Sequence, residues 1–241
     1  FFEWFRNRED LENERRLDSP PYRDIQLQAV RSAIESFLPG FSQLRVRRSP
    51  LRIVVSKEGQ ELIVSQLSDG EKCLLALVSD LARRLAMVNP GLPDPLQGEA
   101  VVLIDEVDLH LHPKWQRSVI DQFERTFPNC QFILTTHSPQ ILSHVKPESV
   151  FILTREQGRV AVVRPAETFG LDSNRVLEEV LDVPERPQEI KDKLSEIFNQ
   201  LDLGRLDETA RLLQELKEQI GDDPELIKAG VILRRKEIIG R

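Results

Sequence analysis

The chain has 241 residues, 40% hydrophobic and 30% charged, with 33 Lys+Arg against 40 Asp+Glu and a formal net charge of −7. That is the profile of a soluble, core-forming protein of one large or two small domains. Its longest apolar runs, such as Val101 to Ile104, fall far short of the roughly 20 residues a membrane helix needs.

The two cysteines, Cys73 and Cys130, form neither a disulfide framework nor a metal-ligand spacing, so a reducing compartment, the cytoplasm, is expected. The acid excess argues against nucleic-acid binding through bulk charge and leaves room only for a local basic face. Phe1 to Asp10 is neither a basic n-region nor an apolar h-region. Opening on Phe rather than Met, the chain is expected to lack its front part.

Residues 1 to 21 mix acidic and basic side chains and close on Pro20-Pro21, which reads as the exposed end of a helix followed by a linker. From Tyr22 to Leu38, Ile25, Ala29, Val30, Ala33, Ile34 and Phe37 fall on one helical face, ended by Pro39-Gly40. Leu51–Val55 and Glu61–Ser65 flank a turn at Gly59 and predict a hairpin. A helix follows over about Gly70 to Val88, burying Leu74, Leu77, Val78, Leu81 and Leu85.

Ala100 to Ile104 reads as a strand covered on both faces. Pro113 can open the next helix, with Trp115, Val119, Ile120, Phe123 and Phe127 on a face. Gln131–Leu134 is the next strand, Pro139–Val145 a short helix, and Val150–Thr154 with Val160–Val163 a strand pair around Gly158. The alternation predicts an α/β fold, a layered mixed sheet with flanking helices. After about Gly170 only helical patterns remain: Leu194, Ile197, Phe198 and Leu201 make one stripe, Leu206, Ala210, Leu213 and Leu216 another. The expected division is therefore 1–170 and a helical tail, 171–241.

Three motifs carry chemistry. In Gln66-Leu67-Ser68-Asp69-Gly70-Glu71-Lys72, Ser68 and Glu71 are spaced as a capping box. The same geometry also suits a phosphate at a helix N-terminus, with Gly70 letting the backbone approach a ligand. Val101-Val102-Leu103-Ile104-Asp105-Glu106 ends an apolar strand in two carboxylates, where α/β sheets bind ligands. Asp105 can hold Mg²⁺ through water and Glu106 can activate a water; the local alternative is a cap for the helix at Pro113. Thr135-Thr136-His137-Ser138-Pro139 follows a second strand, so His137 is either a hydrogen-bonded structural residue or a contact to a terminal phosphate. His110 and His112 lack further ligands at useful spacing, which excludes zinc.

These motifs resemble those of ATP-binding-cassette ATPases: Ser68 to Lys72 the signature motif, Val101 to Glu106 the Walker B strand, Leu109, His110, Leu111 and His112 the D-loop, and His137 the switch histidine. Ser68 to Asp105 is 37 residues and Asp105 to His137 is 32, room for one helix and loop, then one helix and strand. Within that superfamily the wording is similar to soluble prokaryotic ATPases of the SMC and RecF branch, in particular those that include the ATPase subunit of Septu anti-phage defence, found also in some retron systems. No Gly-x-x-x-x-Gly-Lys-Ser/Thr occurs in the chain, so the phosphate-cradling loop is expected to lie elsewhere.

The resemblance implies ATP and Mg²⁺ as ligands and a homodimer or higher oligomer that sandwiches nucleotide. Ser68, Asp69, Gly70 and Glu71 would reach a partner's nucleotide; Asp105, Glu106 and His137 would act in their own subunit. It also implies an associated nuclease of the HNH type and nucleic acid as partners, and no membrane. This chain alone would be inactive for want of Walker A. The competing readings are an overcoming-lysogenization-defect ATPase with its own Toprim nuclease, disfavoured by a tail without Asp-x-Asp, and a non-catalytic dimerisation module derived from such an ATPase.

Overall fold

The computed structural model describes residues 1–156 and 158–239. They form two compact units that part after Val176. The first holds α1 (Phe2–Asp18), α2 (Ile25–Phe37), β1 (Phe41–Arg48), β2 (Leu51–Lys57), β3 (Gln60–Ile63), α3 (Asp69–Val88), β4 (Ala100–Ile104), α4 (Pro113–Gln116), α5 (Val119–Thr126), β5 (Cys130–Leu134), α6 (Pro139–Leu142), β6 (Ile152–Glu156) and β7 (Arg159–Val163). Helix α7 (Ser173–Glu179) crosses the division, and α8 (Gln188–Asp202), α9 (Leu206–Ile220) and α10 (Pro224–Ile239) belong to the second unit. No helix among the described residues is long and apolar enough to cross a membrane.

The α/β class read from the alternation is what the chain adopts. Strands β1-β2-β3 make an antiparallel sheet with β1 at one edge, β4 and β5 a parallel pair in register from Ala100↔Cys130 to Ile104↔Leu134, and β6 and β7 an antiparallel hairpin. The sheets are thus hydrogen-bonded separately rather than as one. Strand β1 escapes sequence reading, because Arg45, Arg47 and Arg48 dilute its alternation.

The core of the first unit forms where α2 and α3 lay their apolar faces against the sheets. Asp24 caps α2 by accepting the N–H groups of Gln26 and Leu27 at 3.0 Å. Leu27, Val30, Ala33, Ile34 and Phe37 are buried, with Leu74, Val78, Ala82 and Leu85 of α3 in the same cluster. Phe37 meets Phe123 edge-on at 4.9 Å, and Phe123 meets Phe132 at 4.7 Å, so α5 is tied to both α2 and β5. Each such side chain taken from water is worth about 1.5–3 kcal/mol.

Four expectations need correction. The N-terminal segment is exposed on one side only: α1 buries Phe5, Glu9 and Glu12, because Glu9 and Glu12 both pair with Arg31 of α2. Ile25 is 41% exposed while Leu27 is fully buried, a rotation set by the Asp24 cap. The helix after Pro113 is two helices broken at Arg117 and Ser118. Strand β4 is covered on one face only: Val102 and Ile104 pack on the core, whereas Val101 is 61% and Leu103 74% exposed.

In the second unit α8, α9 and α10 share a core of Leu194, Ile197, Leu201, Leu216, Leu226, Ala229 and Leu233, with Phe198, Leu206 and Leu213 packed against it. Ala210 is exposed and Thr209 takes the buried position instead. Its hydroxyl is satisfied by the Arg205 carbonyl at 2.9 Å, so a polar residue can occupy that place.

Candidate functional site: the ends of β4 and β5

Because β4 and β5 run parallel and end in register, Asp105 and Thr135 leave the sheet side by side. The main chains stay joined beyond the strands, Thr135 N–H donating to Ile104 O and Val107 N–H to Thr135 O, each at 3.0 Å. The Thr135 hydroxyl accepts the Glu106 N–H at 2.8 Å and donates to Asp105 Oδ1. A single side chain therefore orients one carboxylate and fixes the backbone of the next. Glu106 adopts the left-handed region at φ 49°, where the chain leaves the strand conformation, and its side chain is exposed.

Helix α4 is capped by His112, whose Nδ1 accepts the Lys114 N–H at 3.2 Å. Asp105 and Glu106 are not spent as its caps.

Leu109, His110, Leu111 and His112 follow as a loop with Leu111 buried and the other three exposed. Asp108, just before it, accepts a hydrogen bond from the Thr136 hydroxyl at 2.5 Å. Gln116 donates through Nε2 to Leu111 O at 3.0 Å, and its Oε1 accepts from the buried Ser138 hydroxyl at 2.8 Å. The loop after β4 and the loop after β5 are so pinned together at two points. His137 lies exposed between these two anchors, Thr136 and Ser138.

At the start of α3 the capping box is formed. Ser68 Oγ accepts the Glu71 N–H at 3.4 Å, and Glu71 Oε2 accepts the Ser68 N–H at 3.0 Å and its hydroxyl at 2.9 Å. Lys57 of β2 pairs with Glu71 at 2.6 Å. Burial alone would raise the Glu71 pKa, but Lys57 and the two Ser68 donors outweigh it and hold it below the ordinary value. Asp69 is exposed and pairs with Lys72. Gly70 also makes a close packing contact: a Cβ there would stand 2.5 Å from the His110 carbonyl oxygen. The glycine thus lets α3 touch the loop after β4, backbone against backbone.

Among the described residues no group of three or more His, Cys, Asp or Glu side chains is placed to hold a metal ion. Mg²⁺ needs no such cage; it takes one or two carboxylates and fills its octahedron with water and phosphate oxygens. Asp105, exposed and held by one oxygen, fits that demand.

Sequence reasoning gave no role to Thr135, Thr136, Gln116 and Ser138, which tie Asp105, the Glu106 backbone, Asp108 and the Leu111 carbonyl together. Their positions, immediately after a strand and flanking His137, were the available signal.

A profile of the family described as "AAA domain, putative AbiEii toxin, Type IV TA system" matches residues 1–143. The chain belongs to this family. As a member of it, the chain is 43% identical over 205 residues to the retron Ec83 probable ATPase of Escherichia coli, covering 83% of this chain and 37% of that one. It is 38% identical over 197 residues to the retron Vc95 probable ATPase of Vibrio cholerae serotype O1 biovar El Tor, covering 80% and 38%. Septu protein PtuA of Bacillus mycoides (strain KBAB4) is 35% identical over 100 residues, 42% of this chain and 14% of that protein. The resemblance read from the motifs is borne out by this membership and these relatives. This AAA-domain chain spans less than two fifths of the length of the two retron relatives.

Proposed function

We propose that this AAA-domain chain supplies the hydrolytic and trans-acting elements of an ATP-binding-cassette-type ATPase. Asp105 would hold Mg²⁺ through water, and Glu106 would orient and deprotonate the water that attacks the γ-phosphate. Mg²⁺, when bound, supplies charge neutralisation between the terminal phosphates. His137 would contact the γ-phosphate from the neighbouring loop. The observation that carries the reading is the Thr135 hydroxyl, which links Asp105 and Glu106 at the ends of two parallel strands.

Ser68, Asp69, Gly70 and Glu71 would act on nucleotide held by a second subunit, using the free donors of the first turn of α3. Leu109 to His112 would line the same interface. ATP would then favour the closed dimer, since it bridges both surfaces, and hydrolysis would release it. The nucleotide-holding loop would come from a segment outside these 241 residues, and the exposed Val101, Leu103 and Ile133 of β4 and β5 are an apolar face such a segment would cover. Without it the chain would not turn over ATP.

By analogy with Septu and retron ATPases, the switch would regulate an effector in anti-phage defence, a nuclease of the HNH type, in the cytoplasm. Nucleic acid would be a further ligand, and the helices from Pro187 onward the docking region. The test is ATP turnover by the chain mixed with a separately supplied segment carrying a phosphate loop. Turnover in the mixture that Glu106→Gln abolishes supports the assignment. Turnover unaffected by Glu106→Gln removes the role of Glu106, and neither turnover nor nucleotide binding would favour a non-catalytic interaction module.

A further inference from the structure

Away from the β4–β5 ends, an open groove of about 680 Å³ runs between α1, α2 and the edge strand β1. Arg16, Arg23, Arg31, Arg45, Arg47 and Arg48 line it against three glutamates, in a chain whose net charge is −7. We propose that this groove binds the phosphodiester backbone of a nucleic acid.

The floor is built in advance. Glu9 and Glu12, both buried, hold Arg31 at 3.1 and 2.9 Å, and Glu9 also accepts the Val46 N–H at 3.0 Å. Glu9 further pairs with Arg48. These carboxylates lie beneath the guanidinium groups and fix their direction, so little side-chain entropy is left to lose when an anion arrives.

The outer face of the sheet brings several cations together. Arg47 and Arg52 are directly opposite in the β1–β2 ladder, and like charges so placed repel. The Arg52 Nε is buried without a hydrogen-bond partner among the described residues. Arg45 and Arg47 converge on a single carboxylate, Glu61, whose pKa those two guanidinium groups hold down to about 2. Two cations sharing one anion keep donors for another. Arg23 is exposed and makes no ion pair among the described residues.

Arginine supplies every cation lining the groove, and it is the side chain suited to phosphate and nucleic-acid recognition. The guanidinium fork matches two oxygens of one phosphate. Among the described residues no aromatic side chain lines the groove, so bases would not stack and recognition would be ionic and tolerant of sequence.

This inference locates the nucleic-acid ligand of the proposed function without resting on ATP turnover. The test is fluorescence anisotropy of the full chain with a labelled oligothymidylate and, in parallel, a labelled mixed-sequence duplex, over rising NaCl and without ATP. Binding to either that weakens with salt is expected. Arg23→Ala with Arg47→Ala should flatten the salt slope for the single strand by about 1.4, two phosphate contacts' worth. Arg47→Lys in place of Arg47→Ala should restore about half of that loss, about 0.7, and Glu106→Gln should leave binding unchanged, which separates this site from the ATPase reading. Arg23→Glu, at an exposed position without an ion pair, gives a charge reversal that does not endanger folding and should weaken binding further. No binding at low salt, binding indifferent to these arginines, or displacement by polyglutamate or inorganic phosphate at equal charge would overturn the assignment.

Discussion

Gly70 and His110 meet backbone to backbone: a Cβ on Gly70 would lie 2.5 Å from the His110 carbonyl oxygen. His110 itself sits at φ 62°, in the left-handed region that a β-carbon disfavours. Neither side can yield cheaply, because Gln116 holds the adjacent Leu111 carbonyl. Gly70→Ala should therefore cost about 1–3 kcal/mol of stability, the range of an overpacked site. Thermal denaturation checks it, and an unchanged midpoint would mean that the loop after β4 moves freely.

The Glu71 carboxylate sets an acid limit on the start of α3. Its folded pKa lies below the ordinary 4.5 because Lys57 and Ser68 outweigh burial. A group with a depressed folded pKa contributes its full stability above its unfolded pKa and loses it as pH falls through the folded one. Stability should thus decline as pH drops below about 4.5, and Glu71→Gln should flatten that part of the profile while lowering stability at neutral pH. Urea midpoints at several pH values are the measurement; an identical acid slope in the variant would remove Glu71 from the account.

What the sequence made legible was decided by how local the cause was. The Ser68–Glu71 cap and the apolar spacing on α2 and α3 depend on neighbours within four residues, so they could be read directly. That Asp105, Glu106 and His137 follow strand ends was legible because the apolar runs before them mark β4 and β5. The roles of Thr135 and Gln116 were not, since their partners lie at long separation in the chain, Thr135 with Glu106 and Gln116 with Ser138. The burial of Glu9 and Glu12 was hidden for the same reason: a charged segment looks solvated until Arg31, some twenty residues on, is brought against it. The exposed face of β4 was misread because an uninterrupted apolar run does not reveal which of its two faces the chain itself covers.

The second unit has its own core and should respond to mutation separately. Ile197 is 1% exposed among Leu194, Leu201, Leu216 and Leu226. Ile197→Ala should remove about 2–5 kcal/mol from this core. Hydrogen exchange should then accelerate across α8, α9 and α10 while α2 and α3 keep their protection. Equal acceleration in both units would mean that they unfold as one.

Thr135 offers the sharpest separation of folding from chemistry at the β4–β5 ends. Its hydroxyl accepts from Glu106 N–H and donates to Asp105, whereas its methyl group and β-branch are retained in Thr135→Val. The substitution keeps the strand and removes both bonds, leaving the Glu106 N–H without its acceptor and Asp105 free to rotate. Because the Thr135 side chain is exposed, water can replace part of what is lost, so the stability cost should be at most about 1 kcal/mol. With Asp105 in its proposed role, the effect on turnover should be larger, about 10–100-fold, the range for groups that orient a metal-binding carboxylate. Thr135→Ser, which keeps the hydroxyl, should recover most of it. The check is ATP turnover against Mg²⁺ concentration in the mixture with a phosphate-loop segment: a raised Mg²⁺ requirement in Thr135→Val, corrected in Thr135→Ser, assigns the hydroxyl to positioning Asp105. A loss of turnover that no Mg²⁺ concentration relieves assigns it to the Glu106 backbone instead, and unaltered turnover would deny the hydroxyl any part in the reaction.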